Sequence, residues 1–375
     1  MAAPTTIFTE MTALAERTGA INLGQGFPDE DGPAAVLDAA VAAVRAGRNQ
    51  YAPLPGVPAL REAIAEHQRR RYGLVVDPDA GVQVTFGATE AIAAALLAFA
   101  GQSDEVITLD PSYDSYAPIA RRAGAEMRPI ALDPPGWRVE EAAIEAAVSG
   151  RTRVLVLNSP HNPTGRVLER YELELLADAC RRHDLIAVTD EVYEHLVYDG
   201  AHVPLATLPG MAERTVTCSS LGKTHSLTGW KVGWASGPPE LVARVRAIKQ
   251  FMTFAGGTPF QHAAAVGVGL DATGLSRELA AKRDRLAAGL REVGFDVLPT
   301  AGTYFLNADA APLGHPDARE LCLRMAEEAG VAVIPVAAFS DQPERLGSLV
   351  RFAFCKRTEV LDEAIARLRG WMGDG

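Results

Sequence analysis

Between Val82 and Ser236 six short runs rich in β-branched and apolar residues, VQVTF, EVITL, RVLVLN, LIAVTD, RTVTCSS and KVGWAS, alternate with segments whose apolar positions recur at helical spacing. The helices predicted from that spacing include Thr89–Ala100 and Glu169–His183. Runs that are apolar throughout, separated by helical crossovers, belong to strands covered on both faces. The pattern therefore predicts an α/β fold, three-layer αβα, around a mostly parallel sheet, with ligands gathering beyond the carboxyl ends of the strands. In the last hundred or so residues the pattern changes. A long charged helix near Ser276–Val293 is followed by a stretch punctuated by Gly and Pro that holds FDVLP, TYFLN and VAVIP, then by VRFAF and a final helix Thr358–Met372. This reads as a smaller α+β domain. No Ser-rich linker or repeat intervenes, so the two parts are expected to join through a continuous helix.

Composition narrows the function classes. The 375 residues are 48% hydrophobic and 22% charged, a globular mixture. Asp and Glu outnumber Lys and Arg, 47 to 36, for a net charge of -11, the wrong sign for neutralising nucleic-acid phosphates, so no nucleic-acid partner is expected. The most apolar run, Ala91 to Ala100, has the length of a buried helix rather than of a membrane span. Met1 to Glu10 lacks a basic cluster followed by an apolar core, so no export signal is expected. Cys180, Cys218, Cys322 and Cys355 form no C-x-x-C pair, and a cytoplasmic location fits them best.

Candidate chemistry lies where predicted strands end. Lys223 follows RTVTCSS in Ser220-Leu221-Gly222-Lys223, with small neighbours that let a ligand approach its amine. A lysine partly withdrawn from water loses its proton more easily, as imine chemistry requires. Lys231 offers a second positive charge; both would equally serve as solvated surface lysines. Asp190 ends LIAVTD, three residues before Tyr193, and either meets a cation such as a protonated pyridine nitrogen or caps a helix. Asn162 sits in the turn Asn158–Gly165, where its amide either meets a phenolic oxygen or closes the turn. Gly87-Ala88-Thr89 joins VQVTF to an apolar helix, so free N–H groups and the positive dipole end form a phosphate cradle. Tyr113 is an aromatic at another strand end, placed to stack on a flat ring or to fill core. An amine, a carboxylate, two donors for a ring oxygen, a phosphate cradle and a stacking aromatic together meet the needs of pyridoxal 5′-phosphate (PLP). A nicotinamide site would want G-x-G-x-x-G, and Gly24-Gln25-Gly26 runs into Phe27-Pro28 instead.

With these segments in place the chain resembles, nearly end to end, the class I/II, fold-type I PLP-dependent aminotransferases. Within them it is most similar to the branch of kynurenine, glutamine, methionine and N-succinyldiaminopimelate aminotransferases. Four segments carry the likeness: Asn22–Asp29, Asn49–Pro53, the Asn158–Gly165 turn with Asp190–Tyr193, and the Lys223 segment. The resemblance implies the PLP-transferase architecture, with residues 45–275 as the large cofactor-binding domain and 1–44 plus 276–375 as the small one. It implies transfer of an amino group between an L-amino acid and a 2-oxo acid through a lysine Schiff base. Lys223 would be the catalytic residue, Asp190 the partner of the pyridine nitrogen, and Asn162 and Tyr193 those of the ring 3′ oxygen. Tyr113 would stack on the ring, and Gly87, Ala88, Thr89, Ser220 and Lys231 would hold the phosphate. Tyr51 would reach the phosphate of a neighbouring subunit, which implies a homodimer with shared sites. Arg351, in VRFAF, would clamp the substrate α-carboxylate beside Gly26 and Asn162; no metal is implied. One position departs from the pattern: His225 stands where these relatives mostly carry Phe. It leaves an alternative open, β- or γ-elimination or carbon–carbon bond formation in a specialised biosynthetic pathway.

Overall fold

The structure is a computed structural model and describes residues 6–373. Its strands are β1 (Ile21–Asn22), β2 (Val82–Phe86), β3 (Glu105–Asp110), β4 (Glu126–Ala131), β5 (Thr152–Asn158), β6 (Ile186–Asp190), β7 (Thr215–Ser220), β8 (Val232–Ser236), β9 (Asp296–Val297), β10 (Phe305–Asp309), β11 (Val331–Ala332), β12 (Ile334–Pro335) and β13 (Leu349–Ala353). Seven of them form the main sheet in the order β2-β8-β7-β6-β5-β3-β4, parallel except for β8, which runs antiparallel to both neighbours. Alternate residues of β5 feed different cores. Val154 and Val156 join the cluster under the helix Gly87–Phe99, whereas Leu155 and Leu157 pack with Leu173 and Leu176 of the helix Arg170–Arg182. A strand apolar on both faces thus makes a three-layer structure, as the sequence pattern requires. The apolar stretch Ala91–Ala100 is buried almost throughout, mostly in the helix lying between the sheet and the outer elements.

The six expected strands are present; the seventh, β4, has no clean apolar pattern because Pro129 interrupts it. Its place at the sheet edge is where a missing backbone donor is tolerated. The second sheet is antiparallel, β12-β13-β10-β9, and β1 pairs with β11. Helices Thr273–Val293 and Thr358–Gly373 pack beside it through Leu286, Leu290, Leu361 and Ile365. The boundaries at 44/45 and 275/276 fall inside the helices Ala34–Arg45 and Thr273–Val293. Helix Thr258–Val268 ends at Gly269 and a new one starts at Thr273, whose N–H is accepted by the Asp271 carboxylate at 3.0 Å. Glycines at 267 and 269 weaken the helix there, and the acidic side chain starts the next. No helix among the described residues is long and apolar enough to cross a membrane.

Candidate active site

The carboxyl ends of β5 and β6 lie level, with Asn158 beside Asp190. The Asn158 amide donates to the Asp190 carbonyl at 2.8 Å, and its side-chain oxygen accepts from the Asn162 N–H at 2.7 Å, so one residue pins the Pro-rich turn to the neighbouring strand. The Asp190 carboxylate is buried and accepts from the Tyr116 hydroxyl at 2.6 Å. Burial pushes its pKa up, against the pull of that hydroxyl and of the Val192 N–H.

After β7 the chain makes a single helical turn, Leu221–Thr224, that carries Lys223. Its Nζ lies 5.7 Å from the Tyr193 ring centre and 5.6 Å from that of Tyr304. Burial lowers the amine's pKa from 10.5 to about 8. On the wall of the same cavity Gly87 takes a left-handed φ of 75° and starts the helix whose first N–H groups, at Ala88 and Thr89, are free of helical partners. The Lys231 amine lies against this turn, and Lys231 itself holds a left-handed φ of 54°, a conformation that side chains other than glycine seldom adopt. Gly233 lets β8 press on the turn, since a Cβ there would collide with Gly87 and Ala88 backbone.

Arg351 enters from β13 and is 1% exposed. One terminal nitrogen donates to Asn162 Oδ1 at 2.8 Å, the other to the Gly24 carbonyl at 2.9 Å, and the guanidinium stands 3.8 Å from the Phe305 ring centre. Burial draws its pKa from 12.5 down to about 10, and Nε has no partner. Since Arg351 occupies Asn162 Oδ1, the amide's donor end is left for the cavity. The loop beyond Gly24 is held through its main chain: Tyr304 donates to the Gly26 carbonyl and Lys356 to that of Phe27 at 2.7 Å. Gly26 has no room for a Cβ against Phe305 and Tyr304.

Gly26, Gly87, Ala88, Thr89, Tyr113, Asn162, Asp190, Tyr193, Ser220, Lys223, Lys231 and Arg351 all line this one cavity of about 290 Å³. Tyr51 does not; it is 84% exposed, edge-on to Phe254. His225 also lies elsewhere, on a separate small cavity. Sequence reasoning passed over Tyr116, Tyr304, Phe305, Asn158, Asp114, Phe8 and Gln25, which line the cavity or hold its walls. Asp114 and Tyr116 sit within three residues of Tyr113, so that strand end carried a signal. Phe305 reads in sequence as ordinary core.

Residues 18–368 match the family described as aminotransferase class I and II. The chain belongs to that family. The aminotransferase is 51% identical to a probable N-succinyldiaminopimelate aminotransferase of Mycobacterium tuberculosis, over 97% of this chain and 95% of the relative. It is 42% identical to the methionine aminotransferase of Escherichia coli over 97% and 95%. The solved structure of the Mycobacterium tuberculosis N-succinyldiaminopimelate aminotransferase superposes with a TM-score of 0.96, covering 98% of this chain and 97% of that one. The family is PLP-dependent, and this aminotransferase uses PLP. The residues present fit the group. A buried carboxylate with a raised pKa gains by meeting a cationic ring nitrogen, while the Gly87 turn and Lys231 offer donors to a phosphate.

The depressed lysine has a checkable consequence. Labelling of the cofactor-free aminotransferase by a small electrophile, read by peptide mass spectrometry, should rise at Lys223 through pH about 8, because a lowered pKa frees the amine at lower pH. Lysines of an added unstructured reference peptide, titrating near 10.4, serve as controls. A Lys223 midpoint beside theirs would contradict burial as the governing effect.

Proposed function

We propose that the Lys223 cavity is where this aminotransferase moves the amino group between an L-amino acid and a 2-oxo acid. The observation that carries this reading is the placing of a buried, partly deprotonated amine between a buried carboxylate and a buried guanidinium. When bound, PLP supplies an electron-poor pyridine ring that accepts the electron pair released at the substrate Cα. Lys223 Nζ would hold the cofactor covalently and, once its amine is free, would take the proton from the substrate Cα and return it on the cofactor side. Asp190 keeps a proton on the ring nitrogen. The Asn162 amide and Tyr193 hydroxyl would hold the 3′ oxygen, and Tyr113 would lie against the ring. The Ala88 and Thr89 N–H groups, Gly87, Ser220 and Lys231 bind the phosphate. Arg351, held flat by Asn162 and Gly24, takes the α-carboxylate in a two-point contact and so fixes Cα over Lys223.

The reading extends to the substrate side chain. Phe8, Tyr113 and Phe305 line the cavity with Asp114, whose carboxyl burial already drives upward. A second carboxylate within a few carbons of Cα would meet like charge there, so donors with apolar first carbons, such as methionine or phenylalanine, are preferred to aspartate. The test is the visible spectrum of the holoenzyme on adding single donors. Loss of the cofactor band with methionine, reversed by a 2-oxo acid, is expected. Failure of every donor to convert the band would overturn the assignment, and aspartate as the best donor would overturn the side-chain reading.

The site also calls for a second copy. Tyr51, Phe251, Met252, Phe254 and Phe260 form an exposed apolar surface that supports a homodimer. Tyr51 then reaches the phosphate bound by the partner. Tyr51→Phe should weaken PLP retention by about three- to tenfold with the fold intact, as loss of one hydroxyl contact requires. An unchanged dissociation constant in a dimeric variant would remove Tyr51 from the site. Residues 45–275 are the large domain in this reading, and 1–44 with 276–375 the small one. Four buried free thiols support a reducing, cytoplasmic setting.

A further inference from the structure

We propose that His67, Glu194 and His195 bind one divalent transition-metal ion of the zinc class, with His225 facing the ion's open position. His67 comes from the last turns of the helix Pro58–Tyr72, Glu194 and His195 from the turn after β6, and His225 from the cap of the short helix that carries Lys223. All four line one small cavity of about 20 Å³, room for a single water-sized occupant, separate from the substrate cavity.

The donor atoms of His67, Glu194 and His195 lie within 4.8 Å of one another. His67 Nε2 and Glu194 Oε2 are 2.9 Å apart. A tetrahedral ion with bonds of roughly 2.0–2.2 Å spaces its ligand atoms about 3.3 Å apart, so this pair opens by only a few tenths of an ångström to admit one. His195 Nδ1 is buried without a hydrogen-bond partner. That is an unspent ligand position.

The surroundings fix the carboxylate as a ligand needs to be fixed. Tyr72 donates to Glu194 Oε2 at 2.6 Å and Ser219 to Oε1 at 3.2 Å. Two imidazoles and one carboxylate, with a third imidazole facing the gap, form the nitrogen and oxygen set of zinc-class ions rather than of magnesium or calcium. A bound ion would tie the helix Pro58–Tyr72 to the strand-end turn that carries Tyr193.

The test uses untagged holoenzyme, so that the PLP site is filled, after dialysis against a chelator. Titration with Zn²⁺ by calorimetry and with Co²⁺ by visible ligand-field absorption should give one ion per chain. His195→Ala and His67→Gln should each weaken binding by about tenfold or more. His195 is only partly buried, so its variant keeps the test decisive if His67→Gln fails to fold. Absence of stoichiometric heat and of cobalt bands in the wild-type chain would overturn the proposal. So would binding that persists unchanged in His195→Ala, which would put the ion elsewhere.

Discussion

Lys223→Ala is expected to lose transamination by about 10⁴-fold or more while keeping its fold. In the proposed role the substitution removes the covalent anchor and the group that carries the Cα proton, and general acid–base catalysis alone accounts for roughly 10²–10⁴. The fold should survive because a lysine whose pKa falls from 10.5 to about 8 is strained by burial rather than stabilising. The measurement is the donor half-reaction with PLP supplied in excess, alongside circular dichroism and thermal melting. Turnover above a few per cent of wild type would move the chemistry to another group.

Asp190→Asn should cost nearly as much by a different route. The amide has the shape of the carboxylate, and its oxygen still accepts from Tyr116, so the wall of the cavity stays in place. The charge is gone, and removing one partner of a buried ion pair costs about 3–5 kcal/mol. Expressed in the rate of Cα deprotonation, that is a fall of about 10²–10⁴, with weaker PLP binding as well. Saturating PLP separates the two effects, since it restores occupancy and leaves the rate defect. A rate within threefold of wild type at full occupancy would mean that the ring nitrogen draws its proton from elsewhere.

Both residues were legible because strand ends are marked in sequence. LIAVTD closes on Asp190, and RTVTCSS runs into a glycine-flanked lysine. The architecture was legible for the same reason: uniformly apolar runs state that both faces are covered. What stayed hidden depends on contacts between segments far apart in the chain. Tyr304 reaches Gly26 across 278 positions and Arg351 reaches Asn162 across 189, and no local pattern encodes either. Strand β4 was obscured by Pro129, whose cost is removed by its edge position. His225 drew attention as a departure near Lys223, yet it faces away from the substrate cavity, since the single turn Leu221–Thr224 sends residues two apart to different sides.

The loop from Gly24 to Phe27 presents three carbonyl oxygens, at Gly24, Gly26 and Phe27, which Arg351, Tyr304 and Lys356 hold in succession. Main-chain oxygens are the same whatever side chain stands on them. Exchanging Gln25, whose amide donates to Thr12 Oγ1 at 2.6 Å, or the half-exposed Phe27, whose ring packs on the Lys356 amine, forfeits those side-chain contacts but leaves the three carbonyl bonds in place. A lineage can in this way acquire a new diet of amino acids through a few outward-facing letters while its proton chemistry is inherited untouched.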